Sequence, residues 1–143
     1  MTATPGATVD YQYVAEYMAK LFDGMNLVNI GYDRYHMDSL KRELERVGVE
    51  LPLEEVGQGY ASFSPGLAAM EAELLNGRVA HGMHPVMTMA ASNAVVTMNP
   101  AGDRKLDKSK ATGRIDPMVA LCMAFKIADT QEVETPKYQF LVF

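Results

Sequence analysis

Thr112-Gly113-Arg114-Ile115-Asp116-Pro117-Met118-Val119-Ala120-Leu121 is the stretch on which the reading of the fold turns. Asp is a favoured helix N-cap and Pro suits the first helical position, so Asp116-Pro117 marks a helix start. From Met118 to Ala128 the residues are apolar on every face except at Lys126. A helix that is apolar all round belongs in an interior. One carboxylate, Asp116, is thereby fixed at the mouth of a buried helix, with Arg104, Lys105, Lys108, Lys110 and Arg114 just upstream. An acid held rigidly beside a basic loop suits a metal-dependent phosphodiesterase, and it equally suits a plain helix cap.

Composition narrows the field. The 143 residues suffice for one domain with one core, and 48% hydrophobic content with 22% charged residues marks a folded globular chain. No apolar run reaches the ~18 residues of a membrane span. The opening Met-Thr-Ala-Thr-Pro-Gly lacks the basic and apolar regions of a signal peptide. The single cysteine, Cys122, lies in the apolar helix and fits a reducing compartment as a small core residue. The net charge of −5 is unevenly spread. Residues 103–114 carry five Lys/Arg against two Asp, whereas Glu50, Glu54, Glu55, Glu71 and Glu73 occur in 50–73 without a base, leaving one basic face on an acidic protein.

Outward from the central stretch, Ala94–Met98 reads as a strand, Asn99-Pro100-Ala101-Gly102 as a turn and Arg104–Asp107 as its hairpin partner. Pro85–Ala91 suits a short helix. Ser64-Pro65 predicts the start of a helix whose stripe is Leu67, Met70, Leu74 and Leu75, stopped by Asn76-Gly77. Earlier, Val14, Met18, Leu21 and Phe22 with Tyr13 and Tyr17 form an amphipathic helix from Val9 to about Gly24. Leu27–Asp33 reads as an interior strand, Asp38-Ser39 opens a helix closed by Gly48, and Leu51–Gln58 suits a second strand. Tyr138–Phe143 alternates like an edge strand. Strand and helix alternating in sequence argue for an α/β layer.

Asp33 ends the first predicted strand, the edge at which open α/β sheets bind ligands; as a bare turn residue it would merely start a loop. With Asp116 it could share one or two Mg²⁺ or Mn²⁺ ions, hard cations that favour carboxylate oxygens. Two ions about 3.5–4 Å apart stabilise both the attacking and leaving oxygens of a phosphodiester. His81 and His84 do not make a zinc pair, because Pro85 interrupts a shared helix and no Cys is near. His36 reads as a general base, a phosphate contact or a surface residue. No Gly-x-Ser-x-Gly, dinucleotide or phosphate-loop motif occurs. The 104–114 run is a solvated loop or a phosphate-contacting one.

Several motifs in order carry a resemblance: Ile30-Gly31-Tyr32-Asp33-Arg34-Tyr35, Gln58-Gly59, Ser64-Pro65 leading a Leu-rich helix to Asn76-Gly77-Arg78, and His81-Gly82-Met83-His84-Pro85-Val86. Ala91-Ser92-Asn93-Ala94, Asp107-Lys108-Ser109-Lys110 and Arg114-Ile115-Asp116-Pro117-Met118-Val119-Ala120-Leu121 complete it. The series, over roughly residues 5–128, resembles the nuclease domain of the large terminase subunit of tailed phages. The resemblance implies a ribonuclease H-like fold and a metal-dependent endonuclease cutting concatemeric viral double-stranded DNA during packaging in the bacterial cytoplasm. A small terminase subunit and a portal are the partners it implies. Of the family's three metal-holding acids, Asp33 matches the second and Asp116 the third; Lys108, Lys110 and Arg114 are the candidates for DNA phosphate.

No acid before Asp33 fits the first position, since Asp10 opens a helix and Asp23 closes one. The expectation is therefore a single domain over 1–143, the C-terminal part of such a nuclease domain: a partial ribonuclease H-like fold with a mixed sheet flanked by helices and without its first strands. The isolated chain is expected to bind Mg²⁺ or Mn²⁺ weakly and cleave poorly, and its open sheet edge invites homo-oligomers. The competing readings are a non-catalytic remnant that binds DNA or protein through the 104–114 loop, and an unrelated small α/β binding domain.

Overall fold

The computed structural model describes residues 8–130. In chain order its elements are α1 (Tyr11–Phe22), β1 (Ile30–Tyr32), α2 (Met37–Arg46), β2 (Leu53–Glu55), α3 (Tyr60–Leu75), α4 (Pro85–Asn93), β3 (Val96–Met98), β4 (Arg104–Leu106) and α5 (Asp116–Thr130). The expected edge strand at Tyr138–Phe143 lies outside the described residues.

α5 is the long helix foreseen, with two differences. Its cap is Ile115 rather than Asp116: the Ile115 carbonyl accepts from Met118 N at 2.9 Å and Val119 N at 3.1 Å. Ile115 is 2% exposed, so the core anchors the chain one residue before the acid and Asp116 enters as the first helical residue. Nor is α5 covered on every face. Met118, Val119, Cys122 and Ile127 are buried, while Ala120, Ala124 and Ala128 form a solvent face. Alanine exposes so little apolar area that a sequence can read as apolar throughout and still have a wet side.

The core joins α3 to α5. Phe63, Leu67 and Met70 pack with Ala90, Leu106, Ile115, Met118, Val119 and Cys122. Gly66 sets the closeness of the crossing, because a Cβ there would lie 2.5 Å from the Cys122 carbonyl oxygen and 2.7 Å from Lys126 Cβ. α3 begins at Tyr60, four residues before the expected Ser64-Pro65 start, with Gly59 as its cap. Burial of Phe63 draws the extra turn into helix. Pro65 is tolerated because the Ala61 carbonyl that it leaves without a donor lies on the exposed side, where water can serve it. The stop at Asn76-Gly77 is as expected, Gly77 taking φ +65°. Leu74 and Leu75 are 43% and 83% exposed, so the stripe ends at Met70.

In the first half, the Asp10 carboxylate caps α1 by accepting from Gln12 N at 3.0 Å and Tyr13 N at 3.4 Å. Only Ala15 of α1 is fully buried; Tyr13, Tyr17 and Leu21, expected on the core side, form an exposed row. The expected strands are real but shorter. β1 and β2 run parallel, with Ile30 opposite Leu53, Gly31 opposite Glu54 and Tyr32 opposite Glu55. β3 and β4 form the expected antiparallel hairpin, with Thr97 opposite Lys105. The α/β class holds, and the parallel and antiparallel components of the expected mixed sheet stand as separate two-stranded pairs among the described residues. α5 bridges the halves: Gly31 of β1 lies against Ile127 and Met123 so closely that a Cβ would meet Ile127 Cδ1 at 2.8 Å.

Candidate functional site

Asp33 follows the last residue of β1, and Glu55 is the last residue of β2. Because the two strands are parallel, both carboxylates arrive at the same edge. Asp33 and Glu55 line a cleft of about 640 Å³ together with Arg34, Tyr35, Val56, Gly57, Gln58 and Gly59. Both acids are exposed. Asp33 Oδ1 accepts from Tyr35 N at 3.2 Å, which fixes the turn and leaves Oδ2 uncommitted among the described residues. On the neighbouring position Tyr32 OH accepts from Lys41 Nζ at 2.7 Å, and this hydroxyl holds the ammonium above the usual lysine range.

The floor of the cleft is tied to α5. Gln58 Nε2 donates to the Val56 carbonyl at 3.2 Å and approaches Met123 Sδ at 3.3 Å. Gly31 meets Ile127 and Met123, while Gln58, four residues beyond Gly31's partner Glu54, reaches Met123. The carboxyl ends of the strands therefore point toward the amino end of α5. Asp116 lies seven residues before Met123, about 10 Å along a helix rising ~1.5 Å per residue. Asp116 is not among the residues lining the Asp33 cleft. The two acids thus do not share one pocket.

Asp116 sits in a basic setting. Lys108 Nζ donates to Asp116 Oδ1 at 2.7 Å, with both side chains well exposed, 58% and 60% respectively. That hydrogen bond, reinforced by the Lys108 and Arg114 charges, holds the carboxyl below the usual aspartate range. The Met118 and Val119 N–H groups both go to the Ile115 carbonyl rather than to the Asp116 side chain. Asp116 is therefore the first residue of α5 rather than the residue that caps it. Lys108 is itself placed by a rigid turn: Asp107 Oδ1 accepts from Ser109 N at 2.9 Å and Ser109 Oγ at 2.6 Å, and the Asp107 carbonyl accepts from Ala111 N. The Ser109 hydrogen bonds hold Asp107 below its ordinary range as well. Lys110 and Arg114 are exposed and take part in no ion pair among the described residues, whereas Arg104 pairs with Glu71 at 2.8 Å and Lys105 lies 4.6 Å over the Tyr60 ring. Thr112 Oγ1 donates to Asn93 Oδ1 at 3.0 Å, and Gly113 admits the Asn93 amide where a Cβ would come within 2.6 Å.

Glu55 is the cleft residue that sequence reasoning passed over. It read only as part of a strand, and the parallel register that brings it beside Asp33 was the missing information. His81 Nδ1 accepts from Met83 N and His84 Nδ1 caps α4 through Val86 N, each at 3.3 Å. His36 caps α2 in a left-handed conformation at φ 57° without a side-chain cap bond.

Carboxylates at the carboxyl edge of a parallel pair, with another at the start of a central helix beside a basic loop, accord with the ribonuclease H-like nuclease domain that the sequence resembles. Comparison with known proteins makes the assignment specific. The family model for the terminase large subunit, endonuclease domain, matches residues 1–132, and the chain belongs to that family. The large terminase subunit of Enterobacteria phage HK97 is 46% identical over 134 residues, covering 94% of this chain and 27% of that protein. The chain thus spans about a quarter of that relative's length. The crystal structure of the HK97 large terminase superposes with a TM-score of 0.82 at 48% identity, covering 87% of this chain and 26% of that one. The large terminase nuclease from thermophilic phage G20c shares the fold at a TM-score of 0.62 and 16% identity, over 85% of this chain and 63% of that chain. Among the described residues no helix is long and apolar enough to cross a membrane.

Proposed function

We propose that this chain is the endonuclease portion of a phage DNA-packaging terminase, cleaving double-stranded DNA with a divalent cation, Mg²⁺ or Mn²⁺. The observation that carries the reading is Asp116, an acid released from helix capping and held in solvent at the edge of the 104–114 basic loop. Asp33 and Asp116 are the proposed metal ligands, and Glu55 joins Asp33 at the cleft. The donor chemistry fits: these are exposed carboxylate oxygens, the ligands hard cations take. A cation bound there would supply positive charge to the scissile phosphate as negative charge develops on it.

The protein's own groups do the rest. Lys110 and Arg114, exposed and outside any ion pair among the described residues, hold the DNA backbone, with Lys108 next to them. Asn93 and Thr112 fix the loop from which Arg114 projects. Among the described residues no three His, Cys, Asp or Glu side chains gather into one cluster. Weak cation binding and slow cleavage are accordingly expected of the isolated chain, with residues 1–143 acting as part of a single nuclease domain. Double-stranded DNA, a small terminase subunit and a portal are the partners in this reading, within the bacterial host cytoplasm.

Plasmid cleavage with Mn²⁺ and with Mg²⁺, run beside Asp33→Ala and Asp116→Ala, tests it. Loss of cleavage in both variants is expected; full activity in either removes that residue from the site. A second reading, binding of DNA or protein through the 104–114 loop without cleavage, is favoured by Lys110 and Arg114, which form no ion pair among the described residues. It predicts a parent chain that retains duplex and cuts nothing, with retention lost in the Lys110→Ala, Arg114→Ala double variant.

A further inference from the structure

The turn between β1 and α2 holds one aromatic side chain out in solvent. Asp33 Oδ1 accepts from Tyr35 N and the Arg34 carbonyl accepts from Met37 N, each at 3.2 Å, with Met37 buried. His36 takes a left-handed conformation at φ 57°, uncommon outside glycine. Its ring braces the Tyr35 ring edge-on, with centroids 4.1 Å apart and planes at 68°. Tyr35 is nonetheless 78% exposed, and it lines the Asp33 cleft. Gly57-Gln58-Gly59 forms another part of that lining, with little side-chain bulk. A Cβ at Gly59 would meet nothing within 4 Å. Gln58 Nε2 is engaged by the Val56 carbonyl, and Oε1 receives no donor among the described residues. Arg34 is exposed and forms no ion pair among the described residues. The cleft volume of about 640 Å³ falls within the range of small-ligand sites, about 300–1,000 Å³.

We propose that this cleft binds an unpaired nucleobase of DNA. The base stacks on Tyr35, Gln58 Oε1 accepts from a base N–H, and Arg34 meets the adjoining phosphate. The proposal rests on the reading of the chain as a DNA-cleaving domain. The acids of the cleft favour this occupant over a bare phosphate. Carboxylates repel phosphate oxygens but accept N–H groups from base edges, so Asp33 and Glu55 admit the base and turn its phosphate toward Arg34. A paired base is covered by its stacking neighbours, so an intact duplex cannot use the cleft, whereas an extruded or frayed base can. The chain would thereby distinguish opened DNA from intact duplex. The 104–114 loop, holding the backbone alone, has no means to make that distinction.

The test is fluorescence anisotropy of the full chain, without divalent cation, against a labelled duplex carrying one bulged base and against the fully paired duplex of the same sequence. The parent is expected to bind the bulged duplex about fivefold or more tightly, the least that one stacked base supplies. Tyr35→Ala is expected to erase that preference and leave affinity for the paired duplex within about twofold. Tyr35→Phe, which keeps the ring face, is expected to keep the preference. Tyr17→Ala, which truncates an exposed tyrosine of α1 outside the cleft lining, is expected to leave it unchanged. Arg34→Ala is expected to lower the salt dependence of bulged-duplex binding by about one phosphate contact. Equal affinity of the parent for both probes would overturn the proposal and leave the duplex-binding reading intact. A preference that survives Tyr35→Ala would overturn it too, since the bulge would then be read through its bend and not its base. Binding of neither probe would remove the DNA reading and this proposal with it.

Discussion

The two halves of the chain are built to different standards. From α3 onward, nine buried residues interlock into a single cluster, and a glycine backbone lets two helices nearly touch. In the first half the buried residues Ala15, Met37, Leu44 and Val56 lie outside that cluster, while Val9, Tyr13, Tyr17, Leu21, Met25 and Val28 are all 38% exposed or more. The two halves also hold different acids: Asp33 and Glu55 at the edge of the thin one, Asp116 on the rim of the dense one. Stability and candidate chemistry are therefore carried on unequal supports. The dense half is the frame against which a cation at Asp116 would be positioned, and the thin half is the part whose cleft can adjust.

Truncation separates the halves most strongly. Ile115→Ala, at 2% exposure, is expected to lose about 4 kcal/mol, whereas Leu21→Ala, at 44%, loses less than about 0.5. Urea unfolding of both variants checks this, and equal losses would dissolve the distinction. Gly66→Val is expected to cost about 3 kcal/mol by the same measurement, since the obstacle is the Cys122 backbone oxygen, which cannot turn aside. Gly31→Ala belongs to the thin half and meets mainly the Ile127 methyl at 2.8 Å, a flexible tip; a loss below about 1 kcal/mol is expected.

Cys122 offers a probe of the dense half that needs no substitution. Burial pushes its thiol up to about 12, and the side chain is 1% exposed against Met70 Sδ at 3.5 Å. Labelling by a thiol reagent at pH 8 should be slowed on the order of a hundredfold or more relative to the urea-unfolded chain, because the reactive thiolate is both scarce and shielded. Rapid labelling under native conditions would mean that the α3–α5 crossing opens readily. The smallest effect concerns Glu73, which Arg78 holds below its usual range of 4.5 by hydrogen bonds from Nε at 2.7 Å and from the second guanidinium nitrogen. A depressed folded value gives stability that is present above the unfolded value and lost as pH falls through the folded one. Glu73→Gln should flatten the acid limb of a stability–pH curve slightly below about pH 4.5 and leave neutral stability almost unchanged.

How much of this was legible in the sequence follows the same division. α5, α4 and the β3–β4 hairpin could be read because their signals are local: an Asp-Pro start, a start at Pro85 and an Asn-Pro-Ala-Gly turn. α3 was misread at its start because Ser64-Pro65 imitates a cap, and only the burial of Phe63 reveals that the helix begins four residues earlier. Asp116 could be singled out, but its release from capping depends on Ile115 being seated in the core, a tertiary fact. Glu55 could not be found without the register that pairs Tyr32 with it. The row Tyr13, Tyr17 and Leu21 has helical spacing and reads as a core stripe, and nothing local says that it faces outward.

The bridging role of α5 has a consequence for tolerated genetic change. Its middle touches β1 through Met123 and its first residue carries Asp116, so the offset between the two acids is written in helix residues rather than in loop length. One residue inserted between Pro117 and Leu121 would turn Asp116 by about 100° around the helix axis and carry it away from Lys108. The same insertion in the connection between α3 and α4, residues 76–84, would leave that offset untouched. Substitutions can accumulate along the Ala120, Ala124 and Ala128 face without disturbing the spacing, but insertions and deletions there cannot. Variation among related chains in this helix should therefore be in letters and not in length.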